Sequence, residues 1–277
     1  MAEQVQHDSD EEEYLTSPPP EGFEPKASRE FLDLFRKEDA KRIVLEYHDA
    51  GLPDNIEFRD LMRWVTDPDT GDTALHAAAA AGNIDAFSAI TKSFGRNWFP
   101  NAWLRTCVIA VFIQRNKAGD SLFHVAARAG RQDVVTSAWR YLFTHHYNWD
   151  RPPFESGSDV YVPLDENLPE FQDDPPYVPD YMVAIILLAR KNAAGNTAAD
   201  EAANAGHDDV AEWLKQVLDR LTLGGKRATE SRMARMEELV DGRYNIDKHH
   251  ITEDQFPTIK RRWMQVQSDG TAIWGDC

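Results

Sequence analysis

Cysteine is nearly absent: Cys107 and Cys277 are the only two in 277 residues. Neither their number nor their spacing makes a disulfide framework, so a reducing compartment, cytoplasmic or nuclear, is expected. Long apolar runs are missing too. The longest, 183–189, falls far short of the ~20 residues that a membrane-spanning helix needs. The acidic start of the chain reads as no signal peptide. Basic charge is scarce, with 30 Lys and Arg against 47 Asp and Glu, a net charge of −17. Nucleic acid and anionic membranes demand basic patches, so neither is expected as a partner. Lys260-Arg261-Arg262 reads as a solvated patch, too short for a nuclear signal. Phosphate-cradling glycine motifs are missing, since Gly224-Gly225 lacks the required context. His145-His146 and His249-His250 are adjacent pairs whose rings would point to different faces of a helix, and no partner falls at metal-ligand spacing. Cys107 sits in an apolar run, where burial raises the thiol pKa and makes it inert. No cofactor, no metal and no catalytic group is expected.

What the chain does have is one stretch written three times. It runs Gly71-Asp72-Thr73-Ala74-Leu75-His76-Ala77-Ala78, then Gly119-Asp120-Ser121-Leu122-Phe123-His124-Val125-Ala126-Ala127, then Gly195-Asn196-Thr197-Ala198-Ala199-Asp200-Glu201-Ala202-Ala203. Each copy ends in a second glycine, Gly82, Gly130 or Gly206, with Asp85, Asp133 or Asp209 three residues later. Thr73, Ser121 and Thr197 stand where a helix should start and can accept from a free N–H of its first turn. The Ala-rich segment forms helix readily and has little bulk, so neighbours can stack closely. The second glycine ends that helix in a left-handed conformation, and the following Asp suits the dipole of the next helix. Each unit reads as turn, inner helix, tight loop, outer helix. One such unit cannot bury its apolar face alone, and stacking makes a continuous core.

This pattern resembles the ankyrin repeat, whose T-P-L-H-x-A core is visible in the first two copies and degraded in the third. The fold class implied is all-α, an ankyrin-repeat solenoid with long insertions and a disordered acidic N-terminal tail. Two departures stand out. The family's Pro position is Ala74, Leu122 and Ala198, and its His position is Asp200 in the third copy. In the family that His ties neighbouring turns together, so the resemblance makes His76 and His124 structural.

The chain divides as 1–27, an acidic tail expected to be disordered; 28–66, N-terminal capping helices; 67–223, the repeats; and 224–277, a C-terminal helix and extended tail. Ser9 and Ser17 lie in short patterns that resemble kinase acceptor sites. Insertions fall at about 95–107 and 147–181, because successive turns lie further apart than the ~33 residues of a unit. The apolar runs 107–112 and 182–187 precede the second and third turns and read as helix extensions packed on the preceding unit. Around Thr229 a helix is expected to begin, to end near Gly242 and to cover the last repeat. Asp269-Gly270 predicts a hairpin with Val266 facing Ile273.

The function implied is a non-enzymatic protein-binding module, expected to be a monomer, with the partner across turn tips and inner helices, the concave face of such stacks. Carried over by position, the tips include Asp69, Asp72, Lys117, Asp120 and Asn196, and the groove includes Arg128 and Asn204. The second insertion adds Phe171, Asp173, Asp174 and Tyr177, aromatic anchors among carboxylates that would select a basic partner. Few repeats with acidic extensions look like ankyrin-type chaperones of newly made ribosomal proteins. A regulatory or scaffold subunit of a proteasome or transcription-regulator complex stays open as a second reading. An enzyme with its site in the insertions is the remote third, and it needs a pocket of convergent polar groups.

Overall fold

The computed structural model describes residues 26–37, 62, 65–93, 108–143, 178, 180–222, 225, 229–244, 262–266 and 272–276. Helix α1 (Lys26–Arg36) leads into three units. The first pairs inner helix α2 (Ala74–Ala81) with outer helix α3 (Ile84–Ser93). The second pairs α4 (Leu122–Arg128) with α5 (Gln132–Phe143), and the third α7 (Ala198–Asn204) with α8 (Asp208–Leu221). Between the second and third units lies α6 (Asp180–Ala189); after the third comes α9 (Glu230–Tyr244). The inner helices stack in the order α1, α2, α4, α7, and α2, α4 and α7 each pack on their own outer helix. This is an all-α ankyrin-type solenoid, followed by a short hairpin of β1 (Arg262–Val266) and β2 (Ala272–Asp276).

The elements form for the reasons the repeat suggests. Thr73 and Thr197 are extended N-caps whose hydroxyls accept from the N–H of His76 and Asp200, satisfying a donor that the first helical turn leaves free. Asp85, Asp133 and Asp209 all lie in the first turn of an outer helix. Leu75, Phe123 and Ala199, equivalent by repeat position, are buried in one hydrophobic core that also takes in Phe31 at one end and Tyr244 at the other. Aromatic contacts tie the outer layer: Phe87 meets Phe112 edge to face, Phe112 stacks on Tyr141, and Trp139 meets Trp213 edge to face.

The glycines at the turn tips report where one turn presses on the next. Gly119 has φ +76°, and a Cβ there would lie 3.0 Å from the main-chain nitrogen of Ala193 in the next turn. Gly195, at the same position of the third unit with φ +82°, has nothing within 4 Å of that place. A next turn presses on the second unit and none of the described residues presses on the third.

Four expectations need correction. Helix α1 starts at Lys26, inside the segment read as tail, because its apolar residues Phe31, Leu32 and Phe35 bury against α2 and carry the helix back a turn. Helix α6 packs chiefly on α8 and α9, both later in the chain, and not on the preceding unit. Residues 182–188 are all buried, and a helix apolar all round needs cover on every side. Helix α9 ends at Tyr244, near the expected end at Gly242, but it does not cover the last repeat as expected. It packs on α6, and nothing among the described residues lies within 4 Å of where a Cβ would stand at Gly195. In the hairpin Val266 pairs with Ala272 and Ile273 with Gln265, one residue off the expected register. Five residues, 267–271, separate the paired strands, where a two-residue turn had been expected. Residues 1–25, 38–61, 94–107 and 144–177 lie outside the described residues, and with them most of the two insertions.

Replacing Gly119 and Gly195 separately with alanine should separate backbone strain from stacking. Both substitutions carry the left-handed cost of about 1–2 kcal/mol. Gly119→Ala alone also pushes against the next turn, so urea unfolding should show it clearly the more destabilised of the two. Equal losses would mean that the two turns do not press on one another.

Candidate interaction face

Each turn is organised by a short polar side chain. Asn116 Oδ1 accepts from the N–H groups of Ala118 and Asp120, and Asn192 Oδ1 from those of Ala194 and Asn196. In the first turn Asp67 Oδ1 takes this place, accepting from Asp69 and Thr70. Successive turns then pair through main chain, Lys117 N–H to the Thr70 carbonyl at 2.8 Å and Ala193 N–H to the Ala118 carbonyl at 2.9 Å.

Histidine adds the second tie. The Thr73 N–H donates to His76 Nδ1, so Nδ1 must be an acceptor, and Nε2 carries the proton it gives to the Asp120 carbonyl at 3.0 Å. The same set recurs one unit on: Ser121 N–H donates to His124 Nδ1, and Nε2 lies 3.1 Å from the Asn196 carbonyl. Both rings are therefore neutral in the folded chain, and burial holds both pKa values below the ordinary histidine range. In the third copy Asp200 accepts from the amide and hydroxyl of Thr197, which lowers its own pKa. It closes its own turn and has no second arm to reach a further one. Aspartate suffices where no further turn follows among the described residues.

The junction between the second and third units carries an extra charged group. Arg128 Nη2 donates to Asp120 Oδ2 and Nε to Glu201 Oε2, each at 2.7 Å. Asn192 Nδ2 reaches both Asp120 Oδ1 and Glu201 Oε1, and Asn196 Nδ2 also reaches Glu201 Oε1. Arg128 and its partners hold the Glu201 carboxyl down to about 2, and the same bonds hold the guanidinium above its usual range. At the first junction the equivalent places are Ala80 and Val125, and only the Asn116-to-Asp72 bond of this set is present.

Of the residues named from sequence, Asp69 and Lys117 stand exposed at the first and second tips, and Asp72 and Asn196 are half-buried. The Arg128 side chain is 45% exposed at the end of α4, and Asn204 is exposed at the end of α7. Asp120 is a correction: expected at an exposed tip, it is 1% exposed, because Arg128 and Asn192 take up its oxygens inside the stack. Phe171, Asp173, Asp174 and Tyr177 lie outside the described residues. Thr73, His76, Ser121, His124 and Thr197 serve the turns as described, and Gly82, Gly130 and Gly206 all have left-handed φ. Sequence reading missed Asp67, Asn116, Asn192 and Glu201. The first three carry a signal, an Asp or Asn opening each turn; Glu201 carries none.

The acid response of this face follows from the shifts. An unfolded histidine takes a proton below about 6.5, which His76 and His124 resist when folded, so stability falls as pH drops below that value. Glu201 binds its proton near 4.5 when unfolded and about 2 when folded, so a second loss runs between those values. Glu201→Gln should cost on the order of 1.5–3 kcal/mol at neutral pH. It should also flatten the lower limb of a stability–pH curve measured by urea unfolding while leaving the limb near pH 6 in place. An unchanged lower limb would contradict the assignment.

No protein-family model matches the sequence, and no curated protein matches it. Among solved structures, the chain is similar to the crystal structure of the yeast ribosomal protein Rps3 in complex with its chaperone Yar1. The likeness is 18% identical with a TM-score of 0.44, covering 70% of this chain and 95% of that one. The fold described above rests on the repeat geometry and not on this likeness.

Proposed function

We propose that this chain is a non-enzymatic protein-binding module that holds a basic protein partner across its turn tips and inner-helix groove, acting as an escort for that partner. One observation carries the reading: Arg128, half-exposed at the end of α4, is held at two of its nitrogens by buried carboxylates. An arginine fixed in this way loses little entropy when a partner lands on it, and such side chains serve as interface anchors. The polar chemistry beside it supports grip over turnover, since both ring nitrogens of His76 and His124 are committed to the turns. The net charge of −17 favours a basic partner through steering and complementarity. Asp69, Asp72, Lys117, Asn196 and Asn204 would frame the contact, and the acidic aromatic residues Phe171, Asp173, Asp174 and Tyr177 would extend it. No helix among the described residues is long and apolar enough to cross a membrane. With two cysteines, the compartment proposed is cytoplasm or nucleus.

Affinity capture from the native cell, comparing the full chain with a deletion of 150–180, tests this. The expected result is one basic protein in stoichiometric amount, released by high salt and weakened by Asp173→Asn with Asp174→Asn. Arg128→Ala should lower the affinity of that pair about tenfold or more, the loss typical of an anchor residue. Recovery of large complexes alone would replace the escort reading with that of a scaffold or regulatory subunit.

A further inference from the structure

The groove is gripped from behind as well as from within. Arg190 directly follows α6 and stands two residues before Asn192, which organises the third turn. Its side chain is 3% exposed, and it donates from Nε to Glu237 Oε1 at 2.8 Å and from Nη2 to Asp241 Oδ1 at 2.5 Å. Both carboxylates belong to α9. The other oxygen of Asp241 lies 3.8 Å from Nη2 of Arg115, the residue before Asn116, which organises the second turn. One carboxylate thus spans the roots of two consecutive turns.

The physics makes this a coupling and not only a contact. Burying a guanidinium is costly, and the carboxylates of Glu237 and Asp241 offset that cost. Arginine cannot relieve itself by losing its proton. If the carboxylates are withdrawn, the relief open to Arg190 is movement toward water. Asn192 is two residues away and bonds Asp120 and Glu201 in the groove. Helix α9 is itself held on α6 by an apolar edge in which Met236, Val240 and Tyr244 are buried, so its acids reach the turns only while that edge is seated.

We propose that α9 is an internal effector of the groove: its docking, through Arg190 and Arg115, sets the geometry of the second and third turns. The link holds whatever the groove binds, so it stands or falls apart from the reading of function. Hydrogen exchange on the full chain tests it by comparing wild type with Glu237→Gln/Asp241→Asn. Exchange should rise about tenfold or more at the amides of Ala193, Gly195 and Asn196, as a buried ion pair broken on one side allows. Amides of the first unit, such as Ala77 and Phe87, should hold their rates and so exclude global unfolding. Asp241→Glu keeps the charge and should keep the third turn slow. Glu238→Gln removes an acid that pairs with Arg235 along the surface of α9, and it should leave the turns unchanged. Faster exchange in α9 with a third turn as slow as wild type would overturn the proposal. So would a rise at the first unit equal to that at the third.

Discussion

Everything in this molecule depends on one contact, the pressing of each turn onto the next. A turn stacked on another loses water from its polar groups, and each group must then find a partner in the protein. The chain meets that demand with the same parts at each step. Lys117 and Ala193 donate to carbonyls of the turn before, and His76 and His124 reach carbonyls of the turn after. Gly119 is glycine because the backbone of the next turn passes within contact distance of where a Cβ would be. The apolar core supplies most of the driving force, but apolar burial is non-directional. The turn-to-turn bonds fix the spacing at which that core is filled.

The two ends of the stack solve different problems. At the front, α1 lies on α2, and the side-chain amide of Asn83 donates to the carbonyls of Phe35 and Lys37, satisfying the open end of α1. The equivalent places in later units, Arg131 and His207, lie over Gly82 and Gly130, so one position always closes the preceding inner helix. At the back, nothing among the described residues lies within 4 Å of where a Cβ would stand at Gly195 or Gly206, Asp200 has replaced histidine, and α8 turns Glu212, Lys215, Gln216 and Asp219 to solvent. A terminal unit with a polar outer face is what keeps an open-ended solenoid from recruiting further copies.

How far the sequence discloses this depends on the range of each interaction. Caps, left-handed glycines and first-turn aspartates are local, and Thr73, Gly82 and Asp85 were legible from spacing alone. The unit stacking was legible because repetition makes a local pattern predict a non-local contact. Asp67 escaped because the first turn holds one residue more than the others; counting back from Gly71 lands on Pro68. Asp120 looked exposed by position, but its surroundings come from Arg128 and Asn192, the latter 72 residues on. Arg190 escaped for the same reason, its partners lying 47 and 51 residues away on a helix with no repeat signature. The hairpin register depends on a loop length that Asp269-Gly270 does not determine by itself.

The two junctions of the stack differ in kind, and that difference bears on where a partner should seat. At the first, the small apolar residues Ala80 and Val125 stand where the second has Arg128 and Glu201, and of that polar group only the Asn116-to-Asp72 bond is present; the second joins Arg128, Asp120, Glu201 and Asn192 in a bonded group. Apolar surfaces of that sort tolerate small sliding, because dispersion changes gradually with position. A cluster of charge-assisted bonds does not, since each bond loses strength steeply with angle and distance. The stack is therefore held more stiffly between the second and third units than between the first and second. Stiffness at a binding face lowers the entropy lost on association. A partner that spans the groove would gain most where the cluster already holds Arg128 in place, and would draw on the looser first unit to adjust its fit.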